Sequence, residues 1–310
     1  MDVSEVEGRI KIFSLTNRRG VSLRVTNYGG IILSLHVPDR NGRLDNVVLG
    51  HETPQAYARD TSYVGAIVGR YANRIANARF DLDGATYRLS ANEGPHQLHG
   101  GVRGFNRVRW EVERVADTSI VLRYVSRDGE EGFPGTLDTR VTYTLTEDNA
   151  LVVDYFATTD KPTPVNLTQH SYFNLGGAGD VLGHLLQINA EAMTPVGSDR
   201  IPTGAIGPVA GTRFDFRRAK PIQSADYDCN FVLAGPVAAT LIDPPSGRRL
   251  DVRTTEPGMQ LYTGNPRGVC LETQHYPDSP NRANFPAAIL RPGSQYRSQT
   301  VFAFGIEEGS

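Results

Sequence analysis

At 310 residues, with 39% hydrophobic and 21% charged positions, the chain is long enough to bury a sizeable core and is neither disordered nor membrane-embedded. Its 32 basic and 34 acidic residues leave a formal net charge of −2, which argues against a nucleic-acid footprint or a basic membrane face and does not point to a polyphosphate substrate. The first stretch, MDVSEVEGRIKIFSL, is acidic where a signal peptide is basic and lacks an apolar h-region, and the longest apolar run, residues 31–37, is too short to cross a bilayer. Two cysteines, Cys229 and Cys270, make no disulfide framework and fit a reducing cytoplasm. These features describe a soluble, cytoplasmic globular protein without nucleic-acid or membrane partners.

In chain order, Asn41-Gly42 marks a turn and residues 53–60 are the one candidate for a short helix. Asp83-Gly84 between Phe80-Asp81-Leu82 and Thr86-Tyr87-Arg88-Leu89 predicts a tight hairpin. Val108, Trp110 and Val112 alternate with Arg109, Glu111 and Glu113, and residues 119–125 read as the next strand. Leu137, Thr139, Val141, Tyr143 and Leu145 alternate with Asp138, Arg140, Thr142 and Thr144, the pattern of a strand with one wet face. A turn at Glu147-Asp148-Asn149 follows, then strands at 151–156, 184–188, 249–252 and 297–304. With 32 glycines, 19 prolines and almost no helical periodicity, the chain reads as all-β, a large antiparallel sandwich or barrel. No linker, low-complexity tract or short repeat divides it, so residues 1–310 are taken as one domain.

Four polar clusters interrupt the alternation. Gly69-Arg70-Tyr71-Ala72-Asn73-Arg74-Ile75 places two arginines four apart around an asparagine. Arg70 could fork onto sugar hydroxyls or a carboxylate, although a solvated loop pair is the commoner origin of such a pattern. Pro95-His96-Gln97-Leu98-His99-Gly100-Gly101 sets two histidines before glycines that permit close backbone approach to a ligand; donation to substrate, metal ligation and a satisfied loop histidine all fit. Asn166-Leu167-Thr168-Gln169-His170-Ser171-Tyr172-Phe173-Asn174-Leu175 surrounds His170 with hydroxyl, amide and aromatic groups, a setting for a general acid or for a buried core histidine. Val269-Cys270-Leu271-Glu272-Thr273-Gln274 puts a glutamate at the end of an apolar strand, where burial would raise its pKa and make it a better base; an ion-paired structural glutamate is the bland alternative. Asp228 and Gln260 are weaker candidates of the same type. Walker, Rossmann, Cys-x-x-Cys and Gly-x-Ser-x-Gly motifs are absent.

Taken together and in this order, these clusters resemble the aldose 1-epimerase (galactose mutarotase) family. The likeness runs from Asn27-Tyr28-Gly29-Gly30 through the Arg70 and His99 motifs, Asp128-Gly129-Glu130-Glu131-Gly132-Phe133-Pro134-Gly135 and the His170 run. It ends at Gln260-Leu261-Tyr262-Thr263-Gly264-Asn265 and Cys270-Leu271-Glu272-Thr273-Gln274. The resemblance implies a large antiparallel β-sandwich with a carbohydrate cleft. It implies Glu272 as base, His170 as acid, and Arg70, Asn73, His99, Asp228 and Gln260 as substrate-binding residues. It implies a free aldohexose as substrate and no cofactor or metal; a monomer or homodimer is expected, with the sequence not deciding between them. Cys229 stands where many relatives have histidine, Gln169 where asparagine is usual, and the segment between Gln260 and Glu272 is short. Three alternatives stay open at this point. They are a sugar-binding protein without turnover, a metal enzyme using His96, His99, His170 and Glu272, and a sugar-phosphate epimerase with Arg103 or Arg107 at the rim.

Overall fold

The computed structural model describes residues 3–6 and 10–307; residues 1, 2, 7–9 and 308–310 lie outside the described residues, and with them part of the stretch read above for a targeting signal. Period-2 patterning becomes sheet where it was strongest. Leu137–Leu145 is a strand whose odd positions are buried and whose even positions are half-buried. It pairs antiparallel with Ala150–Thr159, Leu145 opposite Leu151. These two strands are central to a nine-stranded antiparallel sheet that also takes in Glu111–Val115, Ser119–Ser126, Tyr296–Ile306, Arg248–Thr254, Val237–Ile242, Leu185–Ile188 and Lys220–Pro221. The expected strand over 108–112 begins only at Glu111. Val108 and Trp110 are buried as predicted, but their backbone groups bond Gly29 and Asn27 instead of the neighbouring strand.

A second antiparallel sheet of six strands carries, in spatial order, Tyr172–Phe173, Val269–Gln274, Gly258–Tyr262, Asp228–Val232, Ala192–Thr194 and Gly207–Pro208. Its underside packs on the inner face of the larger sheet. Val141, Tyr143 and Val153 from one sheet share a continuous core with Phe231, Leu261 and Leu271 from the other. Burying each such side chain contributes about 1.5–3 kcal/mol, so this interface is the main source of stability. A five-stranded sheet from Val3–Val6 to Leu44–Asn46 adds Leu15, Leu23 and Leu35 to the same core. The result is an all-β sandwich, with Pro54–Arg59 the one α-helix among the described residues.

Local chemistry explains the connections. Asp83 and Gly84 both have positive φ, 52° and 82°, the geometry of a type I′ turn, and join Arg79–Leu82 to Ala85–Arg88. The short helix follows an extended Thr53, has proline in its first turn and stops at Asp60, whose N–H bonds the Tyr57 carbonyl.

Candidate active site

The exposed face of the six-stranded sheet is the floor of a cleft of about 170 Å³, lined among others by Tyr63, Asn73, Arg74, His99, His170, Asp228 and Glu272. That volume falls below the roughly 300–1,000 Å³ of sites for drug-sized ligands and suits one small polar molecule. Alternation along Val269–Gln274 sends Leu271 into the core and Glu272 to the cleft. Every residue of that strand is buried, so Glu272 reaches the cleft with almost no exposed surface.

His170 stands beside Glu272, two residues before Tyr172, which pairs with Cys270. Its N–H donates to the Ala66 carbonyl and its carbonyl accepts from Gly65, while Gln169 donates to the Gly65 carbonyl and accepts from Ser171. Gln169 thus clamps the backbone that aims His170. Imidazole Nε2 lies 3.5 Å from Glu272 Oε1, and Nδ1 lies 3.6 Å from the Cys270 thiol. Burial acts on the two groups in opposite directions. It pushes the Glu272 carboxyl up to about 8, with Asp228 adding to the rise and Arg74 opposing it. It pushes the His170 imidazole down to about 4. Across the neutral range the pair therefore holds one proton, and burial favours its residence on the carboxyl.

His99 is fixed by Asn73. Its backbone N–H donates to the Asn73 carbonyl, and its Nδ1 accepts the Asn73 N–H at 3.1 Å. An accepting Nδ1 leaves the ring proton on Nε2, so neutral His99 can present a donor to a bound oxygen. Burial holds this imidazole well below its ordinary range. The ring of Tyr63 contacts both histidines, tilted by 58° to His99 with centroids 4.5 Å apart and stacked on His170 at 5.9 Å.

Arg70 is a correction. Its side chain lies outside the cleft, with Nη1 donating to the Pro134 and Gly135 carbonyls and Nη2 to Ser126 Oγ and the Ser126 and Arg127 carbonyls. Burial lowers this guanidinium to about 10. The arginine in the cleft is Arg74, which forks onto Glu93 at 2.6 and 2.9 Å and comes within 3.6 Å of Asp228. Positive φ at Asn73, 60°, turns the chain between the two arginines and sends their side chains to different places.

The double glycine also does something other than expected. A Cβ on Gly100 would stand 1.9 Å from the Gly69 carbonyl, so that glycine admits another backbone segment and not a ligand. Gln260 is buried and does not line the cleft; its amide donates to Asp228 at 2.5 Å and so orients that carboxylate. Cys229 faces the core beside Met193, so this departure from the family pattern does not touch the site.

Tyr63, Tyr172, Tyr262, Arg74, Glu93 and Arg200 also line the cleft and were not singled out from sequence. Tyr172 and Tyr262 stand inside quoted motifs, where an aromatic among polar residues was the available signal. One nitrogen each from His99 and His170 and one oxygen from Glu272 lie within 4.8 Å of one another, a donor set able to hold an ion. His96, the fourth ligand of the metal alternative, is elsewhere: its Nδ1 accepts from Asn77 and its Nε2 faces Asp199. Arg103 and Arg107 do not line the cleft, and Arg107 bonds the Asp60 carbonyl.

A family model described as aldose 1-epimerase matches residues 11–303. The chain belongs to the aldose 1-epimerase family. Galactose mutarotase of Sus scrofa is 42% identical over 98% of this chain and 97% of its own length. Aldose 1-epimerase of Escherichia coli K12 is 39% identical over 96% of each. Among solved structures, an aldose epimerase homologue from C. elegans superposes with a TM-score of 0.92 at 31% identity, covering 96% of this chain and 99% of that one. A galactose 1-epimerase from Lactobacillus acidophilus gives 0.88 at 26% identity, covering 99% and 98%. Family membership makes the chain an isomerase of aldose anomers, and the structural likeness agrees with the sandwich described above.

Proposed function

We propose that this cleft opens and recloses the ring of a free aldohexose such as glucose or galactose, with Glu272 and His170 as base and acid. The observation that carries the reading is the juxtaposition of these two buried groups, 3.5 Å apart on the cleft floor. Ring opening needs a proton taken from the C1 hydroxyl and one delivered to the ring oxygen. Glu272 takes the first and His170 gives the second; the C1–C2 bond then rotates and the roles reverse for closure. One proton on the pair is the right number for this exchange. Moving it from Glu272 to His170 readies the pair, and the Arg74 charge favours that ionised carboxylate.

Arg74, His99 and Asp228 supply donors and acceptors for the sugar hydroxyls, Asn73 holds His99, and Gln260 holds Asp228. His99 Nε2 is suited to stabilise charge developing on a sugar oxygen. We also read residues 1–310 as one domain, cytoplasmic, a monomer or homodimer, with a small aldose as its partner and neither nucleic acid nor membrane. The near-neutral charge and two free, buried cysteines support that reading, and among the described residues no helix is long and apolar enough to cross a membrane.

Polarimetry on freshly dissolved α-D-glucose and α-D-galactose tests the assignment. Wild type should hasten anomeric equilibrium, while Glu272→Gln and His170→Asn stay folded and lose most of the rate. A wild type inactive on these sugars, on pentoses and on sugar phosphates would instead be a sugar binder. Stoichiometric metal removed together with activity by chelation would reassign His99, His170 and Glu272 as ligands.

A further inference from the structure

The charged groups of the cleft differ in how fully they are engaged. Arg74 is forked onto Glu93, and Asp228 accepts from Gln260. Arg200 also lines the cleft, but its guanidinium makes no hydrogen bond among the described residues. Its one ion pair among the described residues, to Asp228 Oδ2, is 3.7 Å long, and its side chain is 61% exposed. Its five guanidinium N–H donors stand at the mouth of a polar cleft without a bonded partner among the described residues.

The position is built. Arg200 sits in a tight turn in which Gly197 N–H donates to the Ile201 carbonyl, Arg200 N–H to the Gly197 carbonyl, and Ile201 N–H to Asp199 Oδ1. The backbone at Arg200 is left-handed, φ 63°, a conformation unfavourable for a non-glycine residue. Neighbouring Asp199 lies 3.8 Å from His96 Nε2, which brings the turn against the loop that precedes His99.

Strand order gives the direction in which Arg200 faces. Glu272, Gln260 and Asp228 stand on three successive strands, and the Arg200 turn follows the next strand, Ala192–Thr194. With strands about 4.8 Å apart, a sugar whose C1 and ring oxygen meet Glu272 and His170 extends across the sheet toward Asp228 and Arg200.

Resting on the anomer-exchange reading above, we propose that Arg200 is a specificity-determining residue that binds the edge of the sugar remote from C1 and admits a carboxylate there, extending the substrate class to uronic acids. A guanidinium pairs a carboxylate through two parallel hydrogen bonds, whereas a hydroxyl takes one. Asp228 and Glu93 would repel such a substrate, and Arg200 is the cleft cation not already forked onto a carboxylate.

The test compares D-galactose with D-galacturonate for wild type, Arg200→Gln and Arg200→Lys, by polarimetry at fixed ionic strength. Arg200→Gln should raise KM for galacturonate about tenfold and for galactose about twofold, the difference expected for a two-bond ion pair with a carboxylate against a single hydrogen bond to a hydroxyl, with kcat changed little. Arg200→Lys, which keeps the charge and loses the fork, should fall between. Equal changes for both sugars, no change for either, or no turnover of galacturonate by wild type would overturn the proposal. If wild type turns over neither sugar, the anomer-exchange reading has failed; calorimetric binding of galacturonate to wild type and Arg200→Gln then still tests Arg200, and equal affinities would overturn its role.

Discussion

Arg70 and Arg74 lie four residues apart in one motif and are both buried, yet they live in different electrostatic worlds. Arg70 faces main-chain carbonyls and the Ser126 and Thr163 hydroxyls, which occupy both terminal nitrogens, while its Nε has no partner among the described residues. Arg74 faces two carboxylates at the wall of a cleft that also holds Glu272, one of whose oxygens has no partner among the described residues. A buried cation whose terminal nitrogens are bonded to main-chain carbonyls ties loops together. A buried cation beside groups with unused hydrogen-bonding capacity marks a place where something else is to bind.

The largest effects should come from the groups with unused capacity. Glu272→Gln and His170→Asn each remove one partner of the proton exchange, and each should lower the mutarotation rate by about 10²–10⁴-fold. Circular dichroism and urea unfolding should show both variants folded. A variant within tenfold of wild type would remove its residue from the acid–base pair.

The two arginines then separate stability from activity. Arg70→Met leaves several carbonyls and the Ser126 hydroxyl buried without a donor, and should cost about 3 kcal/mol or more of unfolding free energy in urea. Arg74→Gln should change unfolding by about 1 kcal/mol, because Glu93 is partly exposed, and should lower kcat/KM about 10–100-fold through lost charge-assisted bonding. If Arg70→Met instead keeps its stability and loses sugar affinity, the assignment of these two residues is reversed.

Much of this architecture was legible beforehand, and the illegible part has physical causes. Leu137–Leu145 alternates because one face is wet, and it was found at its full length. Val269–Gln274 is buried on both faces, so its burial shows no period although its side chains alternate in direction, and only its motif points to Glu272. The Arg70 motif was visible as a cluster, but no periodicity says which side chain faces the cleft once Asn73 takes a left-handed turn. Glu93 and Arg200 come from loops whose sequence carries no pattern at all; only the fold brings them to Arg74 and Asp228.

pH separates the two halves of the acid–base pair by the sign of their effects on stability. The folded-state pKa of Glu272 is raised, so its contribution to stability is present below the unfolded value near 4.5 and is lost as pH rises toward about 8. The folded-state pKa of His170 is lowered, so its contribution is present above the unfolded value near 6.5 and is lost as pH falls toward about 4. Glu272→Gln should therefore gain on wild type as pH climbs from 4.5 to 8, with a slope of up to about 1.4 kcal/mol per pH unit, and His170→Asn should gain as pH falls from 6.5 to 4. Urea titrations across this range check both signs, and parallel curves for wild type and variant would show that burial does not shift these groups.

The smallest effect sharpens the contrast between occupied and unoccupied polar groups away from the cleft. Tyr143 and Tyr155 stand opposite each other's neighbours on adjacent strands, both buried in the core. The Tyr143 hydroxyl donates to the Gly30 carbonyl at 2.7 Å, whereas the Tyr155 hydroxyl has no partner among the described residues. Tyr143→Phe should cost about 1–2 kcal/mol, because it strands a buried carbonyl. Tyr155→Phe removes a hydroxyl that is itself stranded, so its unfolding free energy should stay within about 0.5 kcal/mol of wild type or rise. Equal losses in the two variants would mean that the Tyr155 hydroxyl is satisfied in solution, and that an unpartnered buried polar atom in this fold is a weaker pointer to function than the cleft suggests. Equality would leave Glu272 to be judged by its rate effect alone.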